Sequence, residues 1–306
     1  MNWSRRQVLG LAATAPWLMA AEPRETILDT HTHFYDPTRP EGVPWPGKGE
    51  PLLYRPVLPP EFLKLGAPLG VTETVVVEAS PRIEDNQWLL DLAAKHPVIR
   101  GVVGRLIPTD DRFLEHLARF TKSPKFRGIR ITHDDVKAAL TTPAVLDRLK
   151  KFAEARLILD VNGGPDLPAD VARLAKSLPE LTIVLNHMGN VQIDGKAPPQ
   201  KWVEGIQAAG AQPNVACKLS ALVDSTRRPK MAPRDLAFYL PVTTVVADAF
   251  GPERLMFGSN WPVSDLYAPF EVVVRLAQEF VEQKLPRARA KIFRENAVRL
   301  YRLDPT

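Results

Sequence analysis

The sequence predicts a (β/α)8 barrel, and three observations carry that prediction. Eight short segments rich in Val, Ile and Leu recur along residues 26–259, with amphipathic stretches between them. Most of these segments are continuously apolar rather than alternating, as strands covered on both faces are. No Gly-x-Gly-x-x-Gly follows the first of them, which disfavours the structural rival, an open dinucleotide-binding sheet.

The first strand is read at 26–31 inside "ILDTHTHFYDP". Side chains alternate along a strand, so His31 and His33 share a face. Two imidazoles on one face at a strand end make half of a metal or acid/base site. A Pro-rich segment follows at 36–62, with Trp45 and Tyr54 in it. Its length marks it as a functional cover rather than a plain connector. Strands follow at 74–79, 98–106, 126–132, 156–161, 181–187, 214–220 and 254–259. Amphipathic helices are expected at 84–96, 111–120, 142–155 and 267–284. There is no internal repeat and no low-complexity tract.

Ahead of the first strand stands "MNWSRRQVLGLAATAPWLMAAEP". A basic start, an apolar run from Val8 to Ala21 and a small-residue exit form an export signal. The Arg5-Arg6 pair points to the twin-arginine machinery, which carries folded cargo to the periplasm. The run is too short and too Ala-rich for a stable membrane span. Residues 1–21 are therefore expected to be the signal, and residues 22–306 a single barrel domain.

The chain has 306 residues, 45% hydrophobic and 25% charged, the composition of an ordinary globular protein. The formal charge of +5 is interspersed, with no basic stripe for nucleic acid. Cys217 is the sole cysteine, which excludes an intramolecular disulfide and a cysteine-based zinc site.

In such barrels the chemistry sits at the C-terminal strand ends. Those ends offer His31 and His33, Glu78, Arg105, Arg130 with Thr132 and His133, Asp160 with Asn162, and His187. The last two strands add Lys218 with Ser220, then Ser259 with Asn260. Of six histidines, three fall at strand ends: His31, His33 and His187. Three imidazoles suit a zinc site with one open position, and equally a metal-free acid/base pair beside cationic clamps. Arg130 is either a bidentate clamp for a carboxylate or oxyanion, or an interior partner of Asp160 or Glu78. His133 either reaches the site or caps the next helix.

The ordered motifs "ILDTHTHFYDP", "AAKHPVIRGVVG", "FRGIR", "LTIVLNHMGN", "NVACKLSAL" and "FGPERLMFGSNWPVSD" resemble those of the amidohydrolase-2 type of metal-dependent hydrolase. The nearest likeness is to its L-fuconolactonase and L-rhamnonolactonase branch, with 2-pyrone-4,6-dicarboxylate lactonase as a cousin. The resemblance spans residues 25–302. It implies a (β/α)8 barrel that hydrolyses a small ring ester, a lactone or sugar-acid derivative. It implies His31, His33 and His187 as metal ligands and Arg130 as a substrate contact. In the family the eighth strand reads "GSDWP", and its Asp serves as metal ligand and general base. Asn260 stands in that place here. The strand-five histidine of fully metal-dependent members is absent from "LDVNGG", as it is in the lactonase branch.

An amide cannot take a proton from water near neutral pH. A divalent metal, zinc or manganese, would then bind weakly or not at all, and the base would be another group. His187 is the first expected, ahead of Glu78 and Asp265. The expected catalytic set is His187, Arg130 and Asn260, with Arg130, His133, Glu78, Lys218 and Trp45 contacting substrate. The expected activity is hydrolysis of a carboxylic ester of the lactone type. The alternatives are a decarboxylase or C–C hydrolase of the same superfamily, and a catalytically idle barrel that binds a sugar acid.

Overall fold

A computed structural model describes residues 26–304. The export signal expected at residues 1–21 lies outside the described residues. The strands are β1 (Ile27–Thr32), β2 (Val71–Val77), β3 (Ile99–Gly104), β4 (Phe126–Thr132), β5 (Ile158–Asn162), β6 (Ile183–Leu185), β7 (Val215–Leu219) and β8 (Leu255–Phe257). All are parallel, and their spatial order is their chain order. The helices are α1 (Pro59–Gly66), α2 (Ile83–Lys95), α3 (Phe113–Phe120), α4 (His133–Thr141), α5 (Pro143–Glu154), α6 (Leu167–Ser177), α7 (Gln200–Gly210), α8 (Leu240–Phe250), α9 (Phe270–Lys284) and α10 (Asn296–Leu300). This is the (β/α)8 barrel that the sequence predicts. Among the described residues no helix is long and apolar enough to cross a membrane.

The barrel closes through specific polar contacts between its first and last strands. Asn260 N donates to His31 O at 2.9 Å, and His33 N donates to Trp261 O at 2.9 Å. Asp29 Oδ1 accepts from the backbone N–H groups of His31 (3.0 Å) and Ser259 (2.9 Å). Thr30 Oγ1 donates to Phe257 O at 2.6 Å. A buried backbone group without a partner is costly, so these bonds fix the seam.

Two apolar layers flank the strands. One cluster fills the barrel: Leu28, Val75, Val77, Val103, Ile158, Val184, Ala216 and Met256, closed from below by Ala297, Tyr301 and Leu303. The other lies between strands and helices. β1 carries a bulge between Asp29 and Thr32, whose partners in β2 are Thr74 and Val76. One extra residue in β1 shifts the side-chain phase. Leu28 therefore points into the barrel floor, while three residues further on His31 points inward as well.

The segment after β1 folds back onto the barrel mouth. Tyr35 and Val57 exchange backbone hydrogen bonds at 3.1 and 2.8 Å. That pairing returns Trp45 to within 6.0 Å of the His33 ring and 5.3 Å of Tyr35. The Pro-rich segment is thus a cover that contributes to the cavity wall.

Candidate active site

The C-terminal mouth of the barrel holds an open cavity of about 570 Å³. Its wall includes His33, Trp45, Glu78, Arg130, His187 and Asn260. Six residues expected from the sequence are therefore brought together. His31 is fully buried just beneath them, its ring 5.1 Å from that of His33 and 4.3 Å from that of His187.

The backbone that presents them is strained. His187 has φ 54° and ψ 33°, Met188 follows at φ 54°, and Asn260 stands at φ 62°. For an imidazole residue the left-handed region costs about 1 kcal/mol or more, and such residues gather at functional sites. Trp202 Nε1 supports the turn by donating to Met188 O at 2.9 Å. Gly258 supplies space: a Cβ there would stand 2.9 Å from His31 Cβ and 3.1 Å from Ser220 Cβ.

Each imidazole has a defined partner. His33 Nδ1 donates to Val77 O at 3.0 Å, which leaves Nε2 as a lone-pair acceptor. His187 Nδ1 meets Ser220 Oγ at 2.8 Å. Ser220 is fully buried and absent from the cavity wall, so its hydroxyl orients His187 and is no nucleophile. Lys218 Nζ lies 3.3 Å from His31 Nδ1. An ammonium only donates, so His31 carries its hydrogen on Nε2, an atom with no protein partner. Burial holds all three histidines neutral. The His33 value falls to about 3 through burial and then the Arg130 charge. Burial first, then neighbouring positive groups, also lower His31 and His187.

Arg130 donates from Nε to Glu78 Oε1 at 2.9 Å and from Nη2 to Glu78 O at 2.8 Å. Of the two interior partners open to it, Glu78 is therefore the one taken. Arg130 also lines the cavity, so this ion pair does not withdraw it from the mouth of the barrel.

Two expected substrate contacts are corrected. His133 opens α4, and its Nε2 pairs with Asp170 Oδ2 on α6 at 2.9 Å, away from the cavity wall. The nearby carboxylate draws the imidazole outward. Lys218 is fully buried and bonds Asp160 Oδ2 at 2.5 Å, while Tyr301 bonds the other oxygen at 2.7 Å. A buried ammonium needs a buried counter-ion, and that ties it to the barrel interior.

The expectation that His31, His33 and His187 ligate a metal is also corrected. Among the described residues, no three His, Cys, Asp or Glu side chains are placed to hold a metal ion. The free His31 Nε2 would suit a ligand, but the rest of the donor set opposes one. Lys218 places a positive charge beside His31, Arg130 faces His33 and His187, and Asn260 supplies no negative charge. A divalent cation held by these imidazoles would stand beside two cations, and the carboxylates of the cavity are engaged elsewhere, Glu78 by Arg130 and Asp224 Oδ1 by the Asn260 amide. The residues present do not fit the metal.

Several cavity residues were not expected, Asp224 foremost. Asp224 lies in a short turn, 224–226, beyond β7. Its Oδ1 accepts from Asn260 Nδ2 at 2.8 Å. Ser80, Asn162, Asn190, Ser225, Arg227 and Tyr267 add to the polar wall.

Residues 28–303 match the model of the amidohydrolase family, described as Amidohydrolase. The chain belongs to the amidohydrolase family. It is 32% identical over 285 residues to an L-fucono-1,5-lactonase of Burkholderia ambifaria, covering 90% of this chain and 96% of the relative. A second L-fucono-1,5-lactonase, from Burkholderia multivorans, is 30% identical over 293 residues, with the same coverage of 90% and 96%. A solved amidohydrolase of Burkholderia multivorans superposes with TM-score 0.80 at 28% identity when zinc is bound, and 0.81 at 27% when HEPES is bound. Both comparisons cover 91% of this chain and 100% of the solved one. The family match makes the chain a hydrolase-type barrel.

Proposed function

We propose that this amidohydrolase-family barrel is an exported hydrolase of a small lactone, of the sugar-lactone type. The observation that carries the reading is the cavity itself, in which a guanidinium faces two neutral imidazoles and no accessible nucleophile is activated. Such a wall suits attack by water on an activated ring ester. The two lactonase relatives, matched along nearly their whole length, support the same substrate class.

Arg130 binds the ring's polar substituents and polarises the carbonyl, in the bidentate manner of a guanidinium. His33 Nε2 accepts a hydrogen bond from the attacking water. His187 is held by Ser220 against the opposite side of the cavity, and His31 offers an N–H from below. Trp45 packs an apolar face against the ring and excludes bulk water. The polar groups of Asn162, Asn190 and Tyr267 suit a hydroxylated ring. The Arg5-Arg6 signal supports delivery of the protein, folded, to the periplasm.

A pH-stat assay on a panel of five- and six-membered sugar lactones tests this reading. Proton release with appearance of the hydroxy acid is expected. Carbon dioxide release from a carboxylated substrate would instead indicate a decarboxylase, and binding without turnover an idle barrel.

A further inference from the structure

We infer that Asp224, on the turn beyond β7, is the general base of this site, and that Asn260 holds it in place. The inference rests on the lactone reading above.

Three observations place Asp224 in the chemistry. It lines the same cavity as His33, Arg130, His187 and Asn260. Its Oδ1 is taken by the Asn260 amide at 2.8 Å, while Oδ2 is shielded from solvent and has no hydrogen-bond partner. A buried carboxylate oxygen without a donor is costly, and unlike Asp29 and Asp85 this carboxylate belongs to a residue of the cavity wall. Third, Asn260 cannot drift. Its backbone N–H closes the barrel onto His31 O at 2.9 Å, and its φ of 62° aims the side chain off the strand line. An amide in this position cannot accept a proton from water, but its Nδ2 can hold a neighbouring carboxylate still. The negative group has moved from the eighth strand to the loop of the seventh.

The other candidates fall away: Glu78 spends Oε1 on the Arg130 guanidinium and Oε2 on the Ser80 backbone N–H. His33 and His187 each have a ring nitrogen committed, His33 Nδ1 to Val77 O and His187 Nδ1 to Ser220 Oγ, and Arg130 faces both rings. Asp29 spends its Oδ1 on two backbone donors and does not reach the cavity. Asp265 is not in the cavity wall either. Burial raises the Asp224 carboxyl to about 7, against the lowering effect of the Asn260 hydrogen bond. A base performs best when its pKa lies near the working pH. The charged and titratable groups around it are Asp265, Tyr239, Tyr267, Arg227 and Arg228.

The step balances. The Asp224 carboxylate takes one proton from water as the water oxygen bonds to the lactone carbonyl carbon. The ring C–O bond of the tetrahedral intermediate then breaks, and the departing ring oxygen takes that proton back. The product is the open hydroxy acid, which ionises and releases the proton that the pH-stat reads.

The test compares the wild type with Asp224→Asn and Asp224→Ala on the best lactone of the panel, each variant checked by circular dichroism and thermal melting. Asp224→Asn is expected to keep the fold, since it removes a buried charge. Its kcat should fall on the order of 10²–10⁴-fold with KM little changed. Added formate should restore part of the rate to Asp224→Ala and none to wild type. Wild-type kcat in Asp224→Asn overturns the inference, and so does a change confined to KM. Loss of fold in both variants would make Asp224 structural and overturns it too. A wild type that opens no lactone removes the lactone reading itself, and the inference with it.

Discussion

At the residue scale the site depends on side chains that leave no room for error. A methyl group at Gly258 would meet two Cβ atoms, His31 at 2.9 Å and Ser220 at 3.1 Å. Neither is the far end of a flexible chain, so the strand must shift. Gly258→Ala is expected to cost about 1–3 kcal/mol in urea unfolding, as overpacking does, and to lower turnover by displacing His31 and the Ser220 that orients His187. Asn260→Asp brings a sharper expectation. The new carboxylate would stand where the amide now donates to Asp224 at 2.8 Å. Two carboxylates at that distance share one proton, and the apparent pKa of one rises. The variant should lose rate at neutral pH and recover part of it in alkaline buffer, visible as a displaced acid limb in its pH–rate profile. The sequence alone suggests the opposite, a gain of metal and turnover, because the eighth-strand motif shows only that an Asp is missing. It does not show that the loop after β7 supplies one.

At the element scale, β1 explains what the sequence could and could not tell. The two-residue period correctly puts His31 and His33 on one face. It does not say that a bulge between Asp29 and Thr32 turns that face toward the barrel interior. The seven later strands were legible because buried parallel strands are continuous apolar runs. The roles of Lys218 and His133 were not legible, because their partners Asp160 and Asp170 lie on other elements. Asp224 was hidden for a related reason: it sits in a short turn that has no period of its own. The Lys218–Asp160 pair, joining β7 to β5 with both side chains at 0% exposure, makes its own prediction. Lys218→Met strands a buried carboxylate and should cost about 3–5 kcal/mol of stability. Adding Asp160→Leu to it should recover much of that loss in the same denaturant titration.

At the scale of the whole molecule, one barrel gathers the cavity wall at its mouth from the ends of most of its strands. Its floor is plugged by Tyr301, which reaches Asp160 at 2.7 Å. The proposal of export adds a prediction about the intact chain. Replacing Arg5-Arg6 by Lys-Lys should leave most of the precursor in the cytoplasm on a fractionation blot, whereas an unchanged periplasmic yield would point to another route.

The central claim is that this cavity opens a lactone with its own side chains, with the Arg130 guanidinium in its wall and the Lys218 ammonium buried beside His31. The most direct measurement is the rate of lactone opening by protein stripped of metal with a chelator, with metal content read on the same sample. The account predicts the same rate as untreated protein and no increase on adding zinc or manganese. A rate that vanishes on stripping and returns in proportion to bound zinc would contradict it.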